Sequence, residues 1–185
     1  MFTTSRLAIE PLAVAHAEEL HAALDHPEVH RYLPNPEVTT VAALRTRLEH
    51  LAATPPPDGE RWWNFAVRLR ADRTVIGRLE ATTYDTWGEI AYVFGPRWWG
   101  RGLASEATRW LIAHLADHGA DHRSAANHDN HHRCGLGIAE LWAATHPDNT
   151  ASQRLLLRLG FAAVDTLSRP LASFDPGDTV FVRRG

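Results

Sequence analysis

Apolar and polar residues change rhythm along this chain, and the changes predict its elements. Arg6–Leu12 alternates, as a half-buried strand does. Ala15–Leu24 has helical spacing, with Leu20, Ala23 and Leu24 apolar, and Val29–Pro36 reads as a loop. Val41–Ala53 places Leu44, Leu48 and Leu51 on one helical face, with Thr39 or Thr40 as its cap. Pro55-Pro56-Pro57-Asp58-Gly59 then breaks the chain. Trp62–Leu69, Val75–Tyr84 and Glu89–Phe94 are strand-like, and Ala71–Thr74 is a hairpin turn between the first two. Three strands in succession without a helix imply an antiparallel meander. Leu103 to about Ala116 carries Leu103, Ala107, Trp110, Leu111 and Leu115 at the spacing of one buried helical face. Ile138–Thr145 is a strand, and Thr150–Leu159 a helix between an Asn149 N-cap and a Gly160 C-cap. Phe161–Thr166 and Thr179–Arg183 close the chain as strands around a polar loop near Pro176-Gly177.

The chain has 185 residues, no internal repeat and no composition break, which suits one domain over residues 1–185 with a real core. A net charge of −3 gives no global attraction to nucleic acid or membrane, and no apolar run is long enough to span a bilayer. The start lacks the basic-then-apolar pattern of a secretion signal. The single Cys134 excludes an internal disulfide and fits a reducing compartment, so a cytoplasmic location is expected. Lysine is absent; with the Ala, Arg and Pro content this reads as codon bias of a GC-rich genome.

One junction carries chemistry. The apolar segment Ile90–Phe94 runs into Gly95-Pro96-Arg97-Trp98-Trp99-Gly100-Arg101-Gly102-Leu103-Ala104, and a helix leads out. Backbone N–H groups at a helix start are unpaired and lie at the positive end of its dipole, and glycines let the backbone approach an anion. The spacing is neither the dinucleotide fingerprint nor a P-loop, since no Gly-Lys-Ser/Thr follows. Arg97-x-x-Gly100-x-Gly102 resembles the acetyl-CoA pyrophosphate loop of the GNAT acetyltransferase superfamily. Downstream, His146-Pro147-Asp148-Asn149-Thr150-Ala151-Ser152, continuing to Leu159-Gly160-Phe161, resembles the Asn-x-x-Ser…Leu-Gly-Phe segment of its ribosomal-protein N-terminal acetyltransferase branch.

The resemblance implies the GNAT fold: an α/β (α+β type) domain with a mixed central sheet of about six to seven strands and helices on both faces. It implies acetyl-CoA as cosubstrate, an amine acceptor, no required metal and direct attack of the amine on the thioester. Many relatives are dimers, so a homodimer is admitted. The strand amides of Tyr92, Val93 and Phe94 would pair with pantetheine. The amides of Trp98, Trp99, Gly100, Arg101, Gly102, Leu103 and Ala104 would hold the pyrophosphate, with Arg97 and Arg101 adding charge. Arg101 serves equally well as a solvated surface residue, and packing under the loop explains at least one of the two tryptophans.

Acetyl transfer requires a neutral amine, a stabilised oxyanion and a protonated or stabilised leaving thiolate. The resemblance assigns Asn149 to the pantetheine arm and Ser152 to the thiolate, although a helix cap and a first-turn serine explain both locally. Tyr92 is an alternative donor. For the base, Glu89 comes first and Glu80 second; His146 has a suitable ordinary pKa, and bulk water could serve instead. Glu106, in a first helical turn, is explained by dipole complementarity alone.

The chain departs from the family at about residues 117–135. This His-rich stretch is almost devoid of large apolar residues and reads as a solvated insertion. His118, His122, His128, His131, His132 and Cys134 are potential ligands, but no complete zinc signature is present, so no metal site is assigned. Two readings compete with the enzyme: a non-catalytic acyl-CoA-binding or sensor module, and a metal-responsive protein on the same fold.

Overall fold

A computed structural model of the chain describes residues 1–33, 40–116 and 137–185. The expected His-rich insertion, with Cys134, lies outside the described residues, as does Thr39. Among the described residues eight strands form one sheet: β1 (Phe2–Thr3), β2 (Leu7–Pro11), β3 (Arg61–Leu69), β4 (Val75–Thr83), β5 (Trp87–Phe94), β6 (Glu140–Thr145), β7 (Ala162–Val164) and β8 (Thr179–Arg184). Their spatial order is β1-β2-β3-β4-β5-β6-β8-β7. The helices are α1 (Ala17–Leu24), α2 (Pro27–His30), α3 (Val41–Ala53), α4 (Leu103–Ala116) and α5 (Thr150–Arg158).

The meander β3–β4–β5 is antiparallel as its sequence implies, and among the described residues β5 with β6 is the one parallel pair. Two differences from the sequence reading are local. Phe2 pairs with Ile9 and Thr3 with Ala8, adding an eighth strand too short to show alternation. One helical turn, Pro27–His30, replaces the first part of the expected loop. Pro27 sits at the first helical position, where its missing N–H costs nothing. Thr40, not its neighbour, caps α3 by accepting from the Ala43 amide.

Residues directly opposite in an antiparallel pair share a sheet face. Phe65, Leu79 and Tyr92 therefore lie on one face, and Asn64, Glu80 and Ala91 on the other. Helix α4 covers the first: Trp110 meets Phe65 edge-on at 5.1 Å between ring centres. Helices α1 and α3 cover the second, packed on each other and tied to it by ion pairs. Sheet and helices share a large core cluster, including Leu20, Leu24 and Leu44 from one side and Leu111 and Leu115 from the other, and Trp87, Trp142, Leu171, Val180 and Val182 form a second, smaller cluster.

The ion pairs of α1 are tight. Arg68 donates to Glu10 and, through two nitrogens, to Glu19. Hydrogen bonding to the Arg68 guanidinium holds both carboxyls below the ordinary glutamate value. Carboxyls more acidic in the folded state contribute stability above the unfolded value of about 4.5 and lose it as the pH falls through the folded one. Thermal melts between pH 3 and 6 should therefore show an acid-side fall in Tm that is shallower in Arg68→Met. An equal slope in both proteins would remove this account of acid sensitivity.

Candidate functional site

The site begins where two strands part. β5 pairs with β6 only at Trp87–Glu140, Gly88–Leu141 and Glu89–Trp142. Beyond that point β5 continues to Phe94 against β4, and β6 continues to Thr145 against β8. Among the described residues, the backbone of residues 90–94 thus has no strand partner on its β6 side. The Gly95 amide donates to the Ile76 carbonyl at 3.0 Å, which fixes the alternation of the β4–β5 ladder. Tyr92 and Phe94 consequently turn their amide and carbonyl groups toward the gap, while Val93 turns its own to Arg78. A cleft of about 1430 Å³ opens there.

The turn after β5 is tightly built. Pro96–Trp98 forms one 3-10 turn, and the Trp98 ring is buried beneath Gly95. Any Cβ at Gly95 would stand 2.2 Å from the Ala23 carbonyl and 2.6 Å from Trp98, so the position admits only glycine. Trp99 is 43 % exposed at the cleft, its indole N–H donating to the Phe94 carbonyl at 2.6 Å. One tryptophan therefore packs and the other satisfies the strand end. Gly100 and Gly102 have φ of +71° and +72°, the left-handed region, and a Cβ on Gly100 would project into open space. Helix α4 starts at Leu103, with Ala104 and Ser105 on the cleft wall.

The N-terminal segment supports this turn. Arg6 donates to the Arg101 carbonyl at 2.9 Å and to Glu106 at 2.7 Å, and the Arg6 amide and Thr4 hydroxyl also donate to Glu106. Burial pushes the Glu106 carboxyl up, but the Thr4 and Arg6 hydrogen bonds outweigh it and hold the group below its ordinary value. Glu106 is thus a structural anchor.

The opposite wall is α5. Asn149 caps it by accepting from the Ser152 amide at 3.1 Å. The preceding turn is tied by Asn149 N–H to the His146 carbonyl, by Asp148 N–H to His146 Nδ1, and by Gln153 Nε2 to the Pro147 carbonyl. His146 is therefore occupied in shaping this turn. Across the gap, Tyr92 Oη stands 2.8 Å from Ser152 Oγ. Burial pushes the Tyr92 phenol up to about 12, against smaller opposing effects of Ser152 and Arg158.

The carboxylates differ sharply. Glu89 is 4 % exposed where β5 and β6 separate. The Ala172 amide donates to its Oε2 at 2.8 Å, and the Ser173 amide, at 2.9 Å, and hydroxyl donate to its Oε1. Among the described residues no cation pairs with it. Glu80 lies between Arg47, at 3.2 Å, and Arg78, at 3.5 Å.

The cleft thus brings together Glu89, Tyr92, Val93, Phe94, Trp98, Trp99, Gly100, Gly102, Leu103, Ala104, Asn149 and Ser152. It does not gather Arg97 and Arg101. Both are exposed outside its lining, with Arg97 over the Trp98 ring at 5.8 Å. Arg109 on α4 and Arg154 and Arg158 on α5 line the cleft instead, and no ion pair to any of them occurs among the described residues. The i, i+4 spacing of Arg154 and Arg158 was the available sequence signal.

Residues 6–162 match the acetyltransferase (GNAT) domain family. A Bacillus subtilis protein described as the uncharacterized N-acetyltransferase YoaA is 26 % identical over 162 residues, covering 85 % of this chain and 80 % of that protein. Among solved structures, a GNAT-family acetyltransferase from Bacillus anthracis superposes with a TM-score of 0.72 at 19 % identity, over 98 % of this chain and 96 % of that one. The ribosomal L7/L12 α-N-protein acetyltransferase RimL, solved with coenzyme A, gives 0.69 at 16 % identity over 98 % and 95 %. These structural likenesses concern the fold; the family match covers most of the sequence, and the chain belongs to the GNAT family of acetyltransferases.

Proposed function

We propose that the protein transfers the acetyl group of acetyl-CoA to a primary amine, a protein N-terminus or a small-molecule amine, by direct attack on the thioester. The observation that carries this reading is the parting of β5 and β6 after Glu89 and Trp142. It leaves Tyr92 with an amide and a carbonyl that a pantetheine arm can pair with as an added strand. The glycine turn and the start of α4 then receive the pyrophosphate on backbone N–H groups, and Arg109, Arg154 and Arg158 supply positive charge.

In this reading the cofactor lies in the gap, with its sulfur toward Ser152 and Asn149 beside the pantetheine. Glu89, on the face covered by α1 and α3, serves the amine side. Oε1 carries the two Ser173 donors, whereas Oε2 has one donor and keeps a lone pair for the proton of the attacking amine. The pairing of Glu80 with two arginines makes it the weaker candidate.

Calorimetric titration of acetyl-CoA into tag-free protein, then thiol release with a panel of amines and N-terminal peptides, tests the proposal. Micromolar binding with thiol release for one acceptor class is expected. Absence of acetyl-CoA binding would overturn the reading.

A further inference from the structure

The cleft holds two hydroxyls where one would be expected to serve the sulfur. Ser152 Oγ accepts or donates at 2.8 Å to Tyr92 Oη, and the phenol also reaches the Ser152 carbonyl at 3.4 Å. Either hydroxyl can donate in this pair; the 2.8 Å contact to Oγ is much shorter than the 3.4 Å one to the carbonyl, and the greater acidity of a phenol over an alcohol favours Tyr92 as the donor. Ser152 Oγ has no other hydrogen-bond partner among the described residues, so with Tyr92 donating, its own proton is without an acceptor among them. The Asn149 cap fixes the Ser152 backbone, and the strand fixes Tyr92, so neither hydroxyl has to be ordered during reaction.

We propose that Tyr92 is a positioning residue that acts through Ser152: it donates to Ser152 Oγ and so directs the serine proton at the cofactor sulfur, and the two hydroxyls discharge the thiolate as one relay. This rests on the placement of acetyl-CoA proposed above. The amine nitrogen bonds to the carbonyl carbon and loses its extra proton to Glu89 or water. As the C–S bond breaks, its electron pair goes to sulfur. Sulfur takes the Ser152 proton while Ser152 takes that of Tyr92, and solvent returns a proton to the phenolate after CoA leaves. The Tyr92 phenol, even raised to about 12, is a stronger acid than the serine alcohol, so the pair gives the thiolate a better proton source than serine alone. The partly buried phenol remains protonated through the physiological range, so the relay starts loaded. Arg158 is the charged group that bears on it from α5.

The test needs no acceptor. CoA bound to the protein is titrated with base while the ultraviolet absorbance of its thiolate is followed. Hydrogen bonds to the thiolate favour the ionised form, so the thiol should titrate about one pH unit higher in Tyr92→Phe than in the wild-type. Ser152→Ala should give a similar rise, the double variant no further rise, and Ser152→Thr the wild-type curve. With an acceptor in hand, Tyr92→Phe should lower kcat about tenfold while the Kd for CoA changes less than twofold. A Tyr92→Phe curve equal to that of the wild-type, or shifts that add in the double variant, would overturn the relay while leaving the cofactor site intact. Loss of CoA binding by the wild-type would instead remove the site on which it stands.

Discussion

Gly100→Val should weaken acetyl-CoA binding at least about 100-fold, because charge-assisted hydrogen bonds from a backbone cradle contribute about 1.5–3 kcal/mol each and a side chain there displaces more than one. The substitution acts twice. The backbone at +71° is strained for a β-branched residue, and the new Cβ points into the open side of the turn, where a phosphate is expected. The two effects can be separated. Gly59 also has a positive φ, +84°, and open space around it, but lies outside the cleft lining. Gly59→Val should lose a comparable 1–2 kcal/mol or so of stability and bind acetyl-CoA normally. Equal affinities for the two variants would remove the phosphate assignment.

Glu89→Ala should produce the largest loss of turnover, on the order of 100-fold or more. Truncation leaves two backbone amides and a serine hydroxyl without their acceptor, each an unmet donor costing about 1–3 kcal/mol where buried. It thereby frees the segment at Ala172 and Ser173 from the floor of the cleft and removes the proposed proton acceptor at the same time. Glu89→Gln keeps the size of the side chain and one acceptor oxygen. If Glu89 takes the amine proton, Gln should collapse kcat. Should Gln keep kcat and raise only the KM of the amine, Glu89 would be an anchor and the proton would leave by another route.

The order of elements was legible because most are long and strongly patterned: the Leu44–Leu48 face of α3, the Leu111–Leu115 face of α4 and the alternating meander. β1 was not, since two residues cannot display a period and their pairing depends on Ile9 and Ala8. The glycine turn could be read because a positive φ requires a residue type. The arginines could not be assigned from spacing alone. Arg97 precedes the turn and Arg101 lies within it, yet neither side chain lines the cleft and that of Arg97 lies over Trp98, whereas Arg154 and Arg158 reach the cleft from a helix later in the chain. The contact between Tyr92 and Ser152, sixty residues apart, is likewise a product of tertiary packing. For Glu89 the residue was visible but its donors were not, because Ala172 and Ser173 sit in a segment with no periodicity.

Arg6 joins the first residues of the chain to the carbonyl at the heart of the glycine turn. Any ligand that steadies that turn must, by thermodynamic reciprocity, also steady the segment from Thr4 to Leu7. The amino end is then a natural reporter: occupancy of the cleft should be readable as slower amide hydrogen exchange at Arg6, whose N–H is held by Glu106. A bulky extension fused at Met1 would load the same lever from the other side.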